Sequence, residues 1–229
     1  MPDSLINIAI DGPAGAGKST VARLAASKLH MIYIDTGAMY RAVTWKVLST
    51  GLAAHQIEEI AQLAETTEIA LEPSEDGQKV FVDGVEVTEQ IREPYISQKV
   101  SHIAKIPSVR NRLTSLQKQM AIHKGVIMDG RDIGTHVLPD AELKIYLTAS
   151  VEARAKRRYE ELKAKSHEVP YEQIVKEIAE RDHTDETREV SPLRQAEDAV
   201  VLDTTGLPIE AVVHRIIALA ESRMTSAQG

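Results

Sequence analysis

The chain has no cysteine. That absence excludes a disulfide framework, thiolate metal sites, iron–sulfur clusters and a cysteine nucleophile together, and it fits a reducing compartment. A zinc site would have to be built from His and carboxylates, and the eight histidines show no paired metal-ligand spacing. Long apolar runs are missing too: no stretch approaches the roughly 18 residues of a membrane helix. The N-terminus, Met1-Pro2-Asp3-Ser4 before Leu5, carries neither a basic segment nor an extended apolar one and does not resemble a secretory signal. A cytoplasmic protein is expected. Glycine and proline are sparse, 12 and 9 of 229 residues, which rules out collagen-like and linker-like chains, and 43% hydrophobic residues is ample for a packed core. There is no internal repeat or low-complexity tract.

The net charge is −7, but its distribution is uneven. Residues 101–195 hold 17 Lys and Arg against 15 Asp and Glu, while the rest of the chain holds 10 against 19. An acidic chain that gathers its arginines in one region is a poor nonspecific binder of nucleic acid and a good setting for a local anion site. A monomer acting on small molecules, with neither nucleic acid nor membrane as partner, is expected.

Five short apolar runs end near small or acidic residues: Leu5–Asp11, Met31–Thr36, Gly125–Asp132, Glu142–Ser150 and Ala199–Thr205. Their near-continuous Val, Ile, Leu and Met content suits strands buried on both faces, and the intervening segments are long enough for crossover helices, so a five-stranded parallel α/β sheet with helices on both faces is expected. A final helix is marked by Ile209, Val212, Val213, Ile216, Ile217 and Ala220 at helical spacing after Pro208. One stretch interrupts the alternation of strand and helix. Between Lys79 and Thr88, Asp83-Gly84 separates two alternating runs, the signal of a two-residue hairpin. With Glu68–Pro73 as a third strand and Pro94–Lys105 as a helix, residues 63–105 read as a small α+β insertion into a core of residues 1–62 and 106–229.

The chemistry is carried first by Gly12-Pro13-Ala14-Gly15-Ala16-Gly17-Lys18-Ser19, which matches the phosphate-binding loop pattern and lies between the first strand and a predicted helix over Ser19–Leu29. Glycines there let successive backbone N–H groups converge on phosphate oxygens, the helix N-terminus adds positive potential, Lys18 reaches the β- and γ-phosphates, and the Ser19 hydroxyl is a Mg²⁺ ligand. The guanine-reading Asn-Lys-x-Asp of GTPases is absent. Many ATPase motors place Glu after the acid that ends the Mg²⁺ strand, whereas this chain reads Asp129-Gly130-Arg131-Asp132, which points to a second substrate and not to an activated water.

Arginine is the second theme. Arg41, Arg110, Arg131, Arg181 and Arg188 sit near predicted strand ends or in polar loops beside Asp, Thr or Ser, and Arg181–Arg188 precedes a predicted capped helix at Ser191-Pro192. Loops beyond the carboxyl ends of parallel strands share one crevice. Arg154, Arg157 and Arg158 fall on one helical stripe after the fourth strand; such stripes are commonly only solvated.

In order along the chain, Gly12–Thr20, Asp35–Arg41, Asp129–Gly134, Arg154–Arg158, Arg181–Arg188 and Pro192–Thr205 resemble the bacterial cytidylate kinases, which are P-loop nucleoside monophosphate kinases; the third and last strings are specific to that family. The resemblance covers essentially the whole chain. It implies a P-loop NTPase fold, an enlarged monophosphate-binding insertion, a lid near residues 153–170, and transfer of the γ-phosphoryl group of ATP, with Mg²⁺, to CMP or dCMP. By the same resemblance Gly12 to Thr20 bind ATP. Lys18, Arg131 and Arg188 are catalytic, and Arg41, Arg131 and Arg188 hold the acceptor phosphate. Thr36, where some relatives have Ser, and Gly130 line the acceptor site, and Arg181 and Asp185 face its ribose or phosphate. Asp132 accepts from the cytosine N4 amine, and Arg110 and Ser101 complete that edge.

Bland readings stand beside several of these. Tyr40 is either a wall of the acceptor site or core packing. Asp132 is either the base reader or an ion-pair partner of Arg131 or a loop cap, and Ser101 is either a ligand or simply solvated. Asp129 is either a Mg²⁺ carboxylate, with Ser19 the other metal residue, or an acid that orients Arg131. Arg154, Arg157 and Arg158 either touch ATP from the lid or form a solvated face. At the level of function, another small P-loop kinase acting on UMP, a nucleoside or a metabolite, and a nucleotide-gated regulator, are the alternatives.

Overall fold

A computed structural model describes residues 5–74, 77–164 and 166–226. In chain order the strands are β1 (Ile8–Asp11), β2 (Ile32–Asp35), β3 (Ile69–Ser74), β4 (Gly77–Val82), β5 (Val85–Glu86), β6 (Val126–Gly130), β7 (Leu143–Thr148) and β8 (Val200–Asp203). The α-helices are α1 (Lys18–Leu29), α2 (Thr36–Ser49), α3 (Ile57–Thr66), α4 (Pro94–Ile103), α5 (Pro107–Met120), α6 (Val151–Ala164), α7 (Tyr171–Thr187) and α8 (Ile209–Ser226). Each of the five apolar runs yields a strand, and together they form a parallel sheet of order β2-β6-β1-β7-β8.

The chain divides into two compact units, one running up to Ile32 and resuming at Lys124, the other spanning Tyr33–His123. In the first, β1 pairs in parallel with β6 and β7, placing Asp11 level with Gly130 and Tyr146, and β7 pairs in parallel with β8. Ile8, Ala9 and Ile10 have no exposed surface and Ile127 and Leu147 none either, as expected of strands covered on both sides. Helix α1 packs on α8 and β6. Helices α6 and α7 pack together through Ala155, Leu162, Ile174 and Ile178, with Tyr159 edge-on to Tyr171 at 6.0 Å. Residue 165, inside the expected 153–170 lid stretch, lies outside the described residues.

Two expectations fail in this unit. No helix forms at Ser191-Pro192: Ser191 takes a φ of 49° and the following residues are irregular up to β8. The segment is tied instead by the Leu193 N–H, which a helix starting at Pro192 would leave among its free first-turn donors, donating to the Asp185 carbonyl at 2.8 Å. Arg181 and Asp185 do not lie in a loop but on the last turns of α7.

The second unit holds the antiparallel sheet β3-β4-β5. Asp83 and Gly84 form the predicted turn with φ values of 49° and 79°, the left-handed pair such a hairpin needs, and Val82 pairs with Val85. The unit is wider than residues 63–105. Helix α2 buries Met39, Tyr40, Val43 and Val47 with residues of α3, α4 and α5, and on its other side Ala38 and Ala42 pack against Val80 and Val82 of β4. Removing α2 and α5 would leave the sheet without a core. At the sheet edge, the Gln78 side chain accepts from the Asp35 N–H at 3.2 Å and donates to the Tyr33 carbonyl at 2.7 Å.

Candidate active site

The phosphate loop is shaped by contacts that exclude side chains. Gly12 sits at φ 147°, and a Cβ there would lie 1.9 Å from the Leu147 carbonyl oxygen, so any other residue would force β1 from β7. Gly17, at φ 92°, caps α1 with no side-chain acceptor, leaving the first helical N–H groups available to an anion. With N–H groups turned inward, the loop carbonyls turn outward, and side chains meet them. Lys18 Nζ donates to the Pro13 carbonyl at 2.8 Å, Arg154 to Ala14 at 3.0 Å and Arg157 to Ala16 at 3.3 Å, while the Thr204 hydroxyl lies 3.2 Å from the Ala16 carbonyl. Arg157 also donates to the Thr204 carbonyl at 2.7 Å. Of Arg154, Arg157 and Arg158, Arg158 pairs at the surface with Glu161 at 2.8 Å and Arg154 is buried.

Lys18 is buried, and burial followed by the nearby Arg131 charge pushes its ammonium down to about 7, with Asp129 and Asp11 pulling the other way. Ser19 donates to Asp129 Oδ2 at 2.9 Å. That contact places a carboxylate beside the Ser19 hydroxyl, and the same Asp129 is among the charges that act on Arg131. Thr20 follows on α1, exposed.

Beyond β6 the chain makes one wide turn at Ile133–Val137, where Val137 N–H reaches Asp132 O and Leu138 N–H reaches Ile133 O, five residues back. Asp11, at the end of β1, accepts from both Ile133 N–H at 2.8 Å and Gly134 N–H at 2.7 Å. Sequence reading assigned Asp11 no role; its place directly before Gly12 was the available signal. Burial pushes its carboxyl up to about 6 despite those two N–H donors.

Arg131 does not pair with Asp132, the ion pair weighed from sequence. Its Nε donates to Asp185 Oδ2 at 2.8 Å, and Asp132 faces Arg188 at 3.6 Å, with both side chains 5% exposed. Arg188 also lies 3.9 Å from Asp185. Burial works against the Arg131 charge, but Asp185, then Asp129 and Asp182, hold its pKa above the ordinary guanidinium value. Burial likewise opposes ionisation of Asp185, and Arg131, Arg181 and Arg188 outweigh it and keep the carboxyl below its usual range. Lys18, Ser19, Asp129, Arg131, Asp132, Arg181, Asp185 and Arg188 are thereby brought together in one unit, with Gly130 the buried last residue of β6.

The second unit carries the other expected residues. Asp35 caps α2 through the Ala38 N–H at 2.8 Å and grips Arg41 at 3.0 Å, and a Cβ on Gly37 would lie 3.1 Å from both groups. Thr36 is buried in the first turn of α2. Tyr40 is part of the core, and the Arg110 guanidinium stands 5.1 Å from its ring centre, itself 1% exposed. Tyr40 thus packs in the core and carries a buried cation on its ring. Ser101 is half-buried on α4.

A loop that grips a polyphosphate, next to cations held apart by carboxylates so that a second anion has something to bind, places the chain among the P-loop phosphotransferases. Residues 8–222 match the cytidylate kinase family model, and the chain belongs to that family. It is 55% identical to the cytidylate kinase of Caldicellulosiruptor bescii over 93% of this chain and 95% of that one, and 55% identical to that of Bacillus subtilis over 95% and 97%. In fold it is similar to an uncharacterized protein from Eubacterium ventriosum, with a TM-score of 0.54 at 12% identity over 96% of this chain and 99% of that one.

Proposed function

We propose that the protein transfers the γ-phosphoryl group of ATP to the 5′-phosphate of CMP and dCMP, giving CDP and dCDP. The observation that carries the reading is the alternation of Arg131, Asp185, Arg188 and Asp132 beside the phosphate loop. Two arginines whose partners are carboxylates can exchange them for a phosphate without ever being left as bare buried charges. The acceptor phosphate is already an anion, so no general base is required, and catalysis reduces to alignment and neutralisation of charge. Lys18 acts on the β- and γ-phosphates, Arg131 and Arg188 on the acceptor and transferring groups, and Arg41 on the acceptor phosphate. Arg181 and Asp185 serve the ribose or phosphate side.

Ser19 and Asp129 supply hard oxygen ligands suited to Mg²⁺, and among the described residues no group of three or more His, Cys, Asp or Glu stands ready as a complete cage. That fits an ion held partly by nucleotide phosphates, which would spread the developing charge. Arg157 and Arg158 serve ATP from a lid near residues 153–170, Arg158 exchanging its Glu161 partner for the nucleotide. Asp132 accepts from the cytosine N4 amine, with Arg110 and Ser101 serving the same edge. The protein is read as a cytoplasmic monomer; among the described residues no helix is long and apolar enough to cross a membrane.

A coupled assay with ATP and CMP, dCMP, UMP or AMP tests the reading, and turnover of another acceptor in preference to CMP would overturn it. The same panel on Asp132→Asn and Asp132→Ala tests the base reader. UMP presents O4 as an acceptor to a carboxylate, and an unpaired buried polar group costs about 1–3 kcal/mol. The CMP-to-UMP ratio of kcat/KM is therefore expected to fall about 5- to 150-fold, with Asn recovering more UMP turnover than Ala because its amide can donate to O4. An unchanged ratio in both variants would move base recognition elsewhere.

A further inference from the structure

Arg154 is a heavily engaged, buried cation beside the phosphate loop. Its Nε donates to the Ala149 carbonyl at 3.0 Å, Nη1 to the Ala14 carbonyl at 3.0 Å and to Asp182 Oδ1 at 2.9 Å, and Nη2 to Asp182 Oδ2 at 2.6 Å. Four of the five N–H donors of a guanidinium are thus committed within the protein. The side chain is 4% exposed, its Cβ would meet a Cβ on Gly15 at 3.1 Å, and its partner Asp182 lies on α7. Asp182 follows Arg181 directly and precedes Asp185 by one helical turn, and Arg188 begins just past the helix end.

We propose that Arg154 and Asp182 form a positioning pair which sets the register of the phosphate loop against the C-terminal half of α7, so that the donor loop and the acceptor-side arginines are held as one piece. Arg154 thus acts through the Ala14 carbonyl and does not touch ATP. Two separate features support this. The bidentate fork to Asp182 fixes orientation as well as distance, which a lone charge contact does not. The loop carbonyls, turned outward because the N–H groups face inward, need buried donors on that side, and Arg154 supplies one from a second helix pair. The inference rests on reading the loop as the ATP site but not on the identity of the acceptor.

The test compares Arg154→Met, Arg154→Lys, Asp182→Asn and the Arg154→Met/Asp182→Asn double variant in the full chain. The readouts are calorimetric Kd for a non-hydrolysable ATP analogue, KM for CMP at saturating ATP, and Tm. Each single change is expected to weaken the analogue on the order of 10-fold, because loop misplacement is transmitted to every phosphate contact. Lysine should not rescue, KM for CMP should rise as well, and the double variant should fall within about twofold of the worse single one, since the two residues act as a unit. Unchanged or tighter analogue binding in Asp182→Asn, with loss only in Arg154→Met, would overturn the proposal, as Arg154 would then be a phosphate ligand that Asp182 restrains. Rescue by lysine would overturn it too. A lowered Tm with unchanged Kd, KM and kcat would assign the pair to the fold alone. Should Arg154→Met fail to fold, Asp182→Asn and Arg154→Lys decide the question between them. Failure of the functional reading is seen separately, as wild-type protein that binds the analogue but does not turn over CMP.

Discussion

The phosphate loop and the arginine cluster at the ends of β6 and α7 lie in the same unit, yet they are held in different ways. The loop is fixed by shape: a glycine whose Cβ would strike a carbonyl, and short bonds from Lys18, Arg154 and Arg157 to its outward carbonyls. The arginine cluster is held largely by charge: Arg131 bonds Asp185 at 2.8 Å, and Arg188 donates to the Ser191 carbonyl at 2.6 Å while standing 3.6 Å from Asp132 and 3.9 Å from Asp185. A loop that must recognise the same polyphosphate every cycle gains from rigidity. Cations that must accept and release a substrate phosphate gain from partners that are easily exchanged.

Three experiments break or sharpen that contrast. The largest effect is expected from Lys18→Ala, which removes the buried cation of the loop itself: kcat/KM should fall by about 10³-fold or more with the fold intact by circular dichroism. Near wild-type turnover would mean that the loop is not the donor site. Next, Arg131→Ala and Arg188→Ala should each lower kcat by about 10²-fold while changing the KM for ATP little, and lysine should rescue neither fully. A rise confined to the KM for ATP would move the arginine concerned to the donor. Arg131→Ala should also lower Tm more than Arg188→Ala, since it strips the buried Asp185 of its closest cation.

The smallest effect concerns the joint between the two regions, Asp11, and it depends on pH. The folded protein raises this carboxyl from 3.8 to about 6, mainly by burial, with Asp132 adding to the shift and Lys18 opposing it. The native state therefore holds the proton more tightly than the unfolded chain. The resulting stabilisation is present below about pH 4 and is lost as pH climbs to about 6, a swing of about 3 kcal/mol. Asp11→Asn lacks this swing. Its stability relative to wild type, measured by urea unfolding, should improve by about that amount between pH 4 and pH 7, on top of a constant loss from setting an amide N–H₂ against a backbone N–H. A difference that does not change with pH would show that Asp11 ionises as it does in solvent.

What could be read from the sequence was local. The apolar runs became strands because parallel central strands are apolar throughout, and Asp83-Gly84 became a turn because both residues tolerate positive φ. The loop motif was legible for the same reason, its meaning lying in eight consecutive residues. Partnerships were not. Nothing near Arg131 in the chain indicates that its acid is Asp185, 54 residues on, rather than Asp132 next door, and nothing near Arg154 indicates Asp182. No helix forms at Ser191 because the Leu193 N–H is bonded to the Asp185 carbonyl, a contact that the local cap signal does not contain. The second unit outgrew residues 63–105 because α2 and α5 join its core through contacts that periodicity cannot assign.

Gln78 has a consequence for how the molecule behaves in a crowded solution. β2 is the terminal strand of the parallel sheet, and an edge strand offers unpaired N–H and C=O groups on which another chain can add and begin aggregation. The groups that Gln78 engages, the Tyr33 carbonyl and the Asp35 N–H, are the pair that one residue of an added parallel strand would use. A single side-chain amide thus imitates a peptide unit of a neighbouring strand and closes the edge to recruitment. The surface there need not be charged or interrupted by proline.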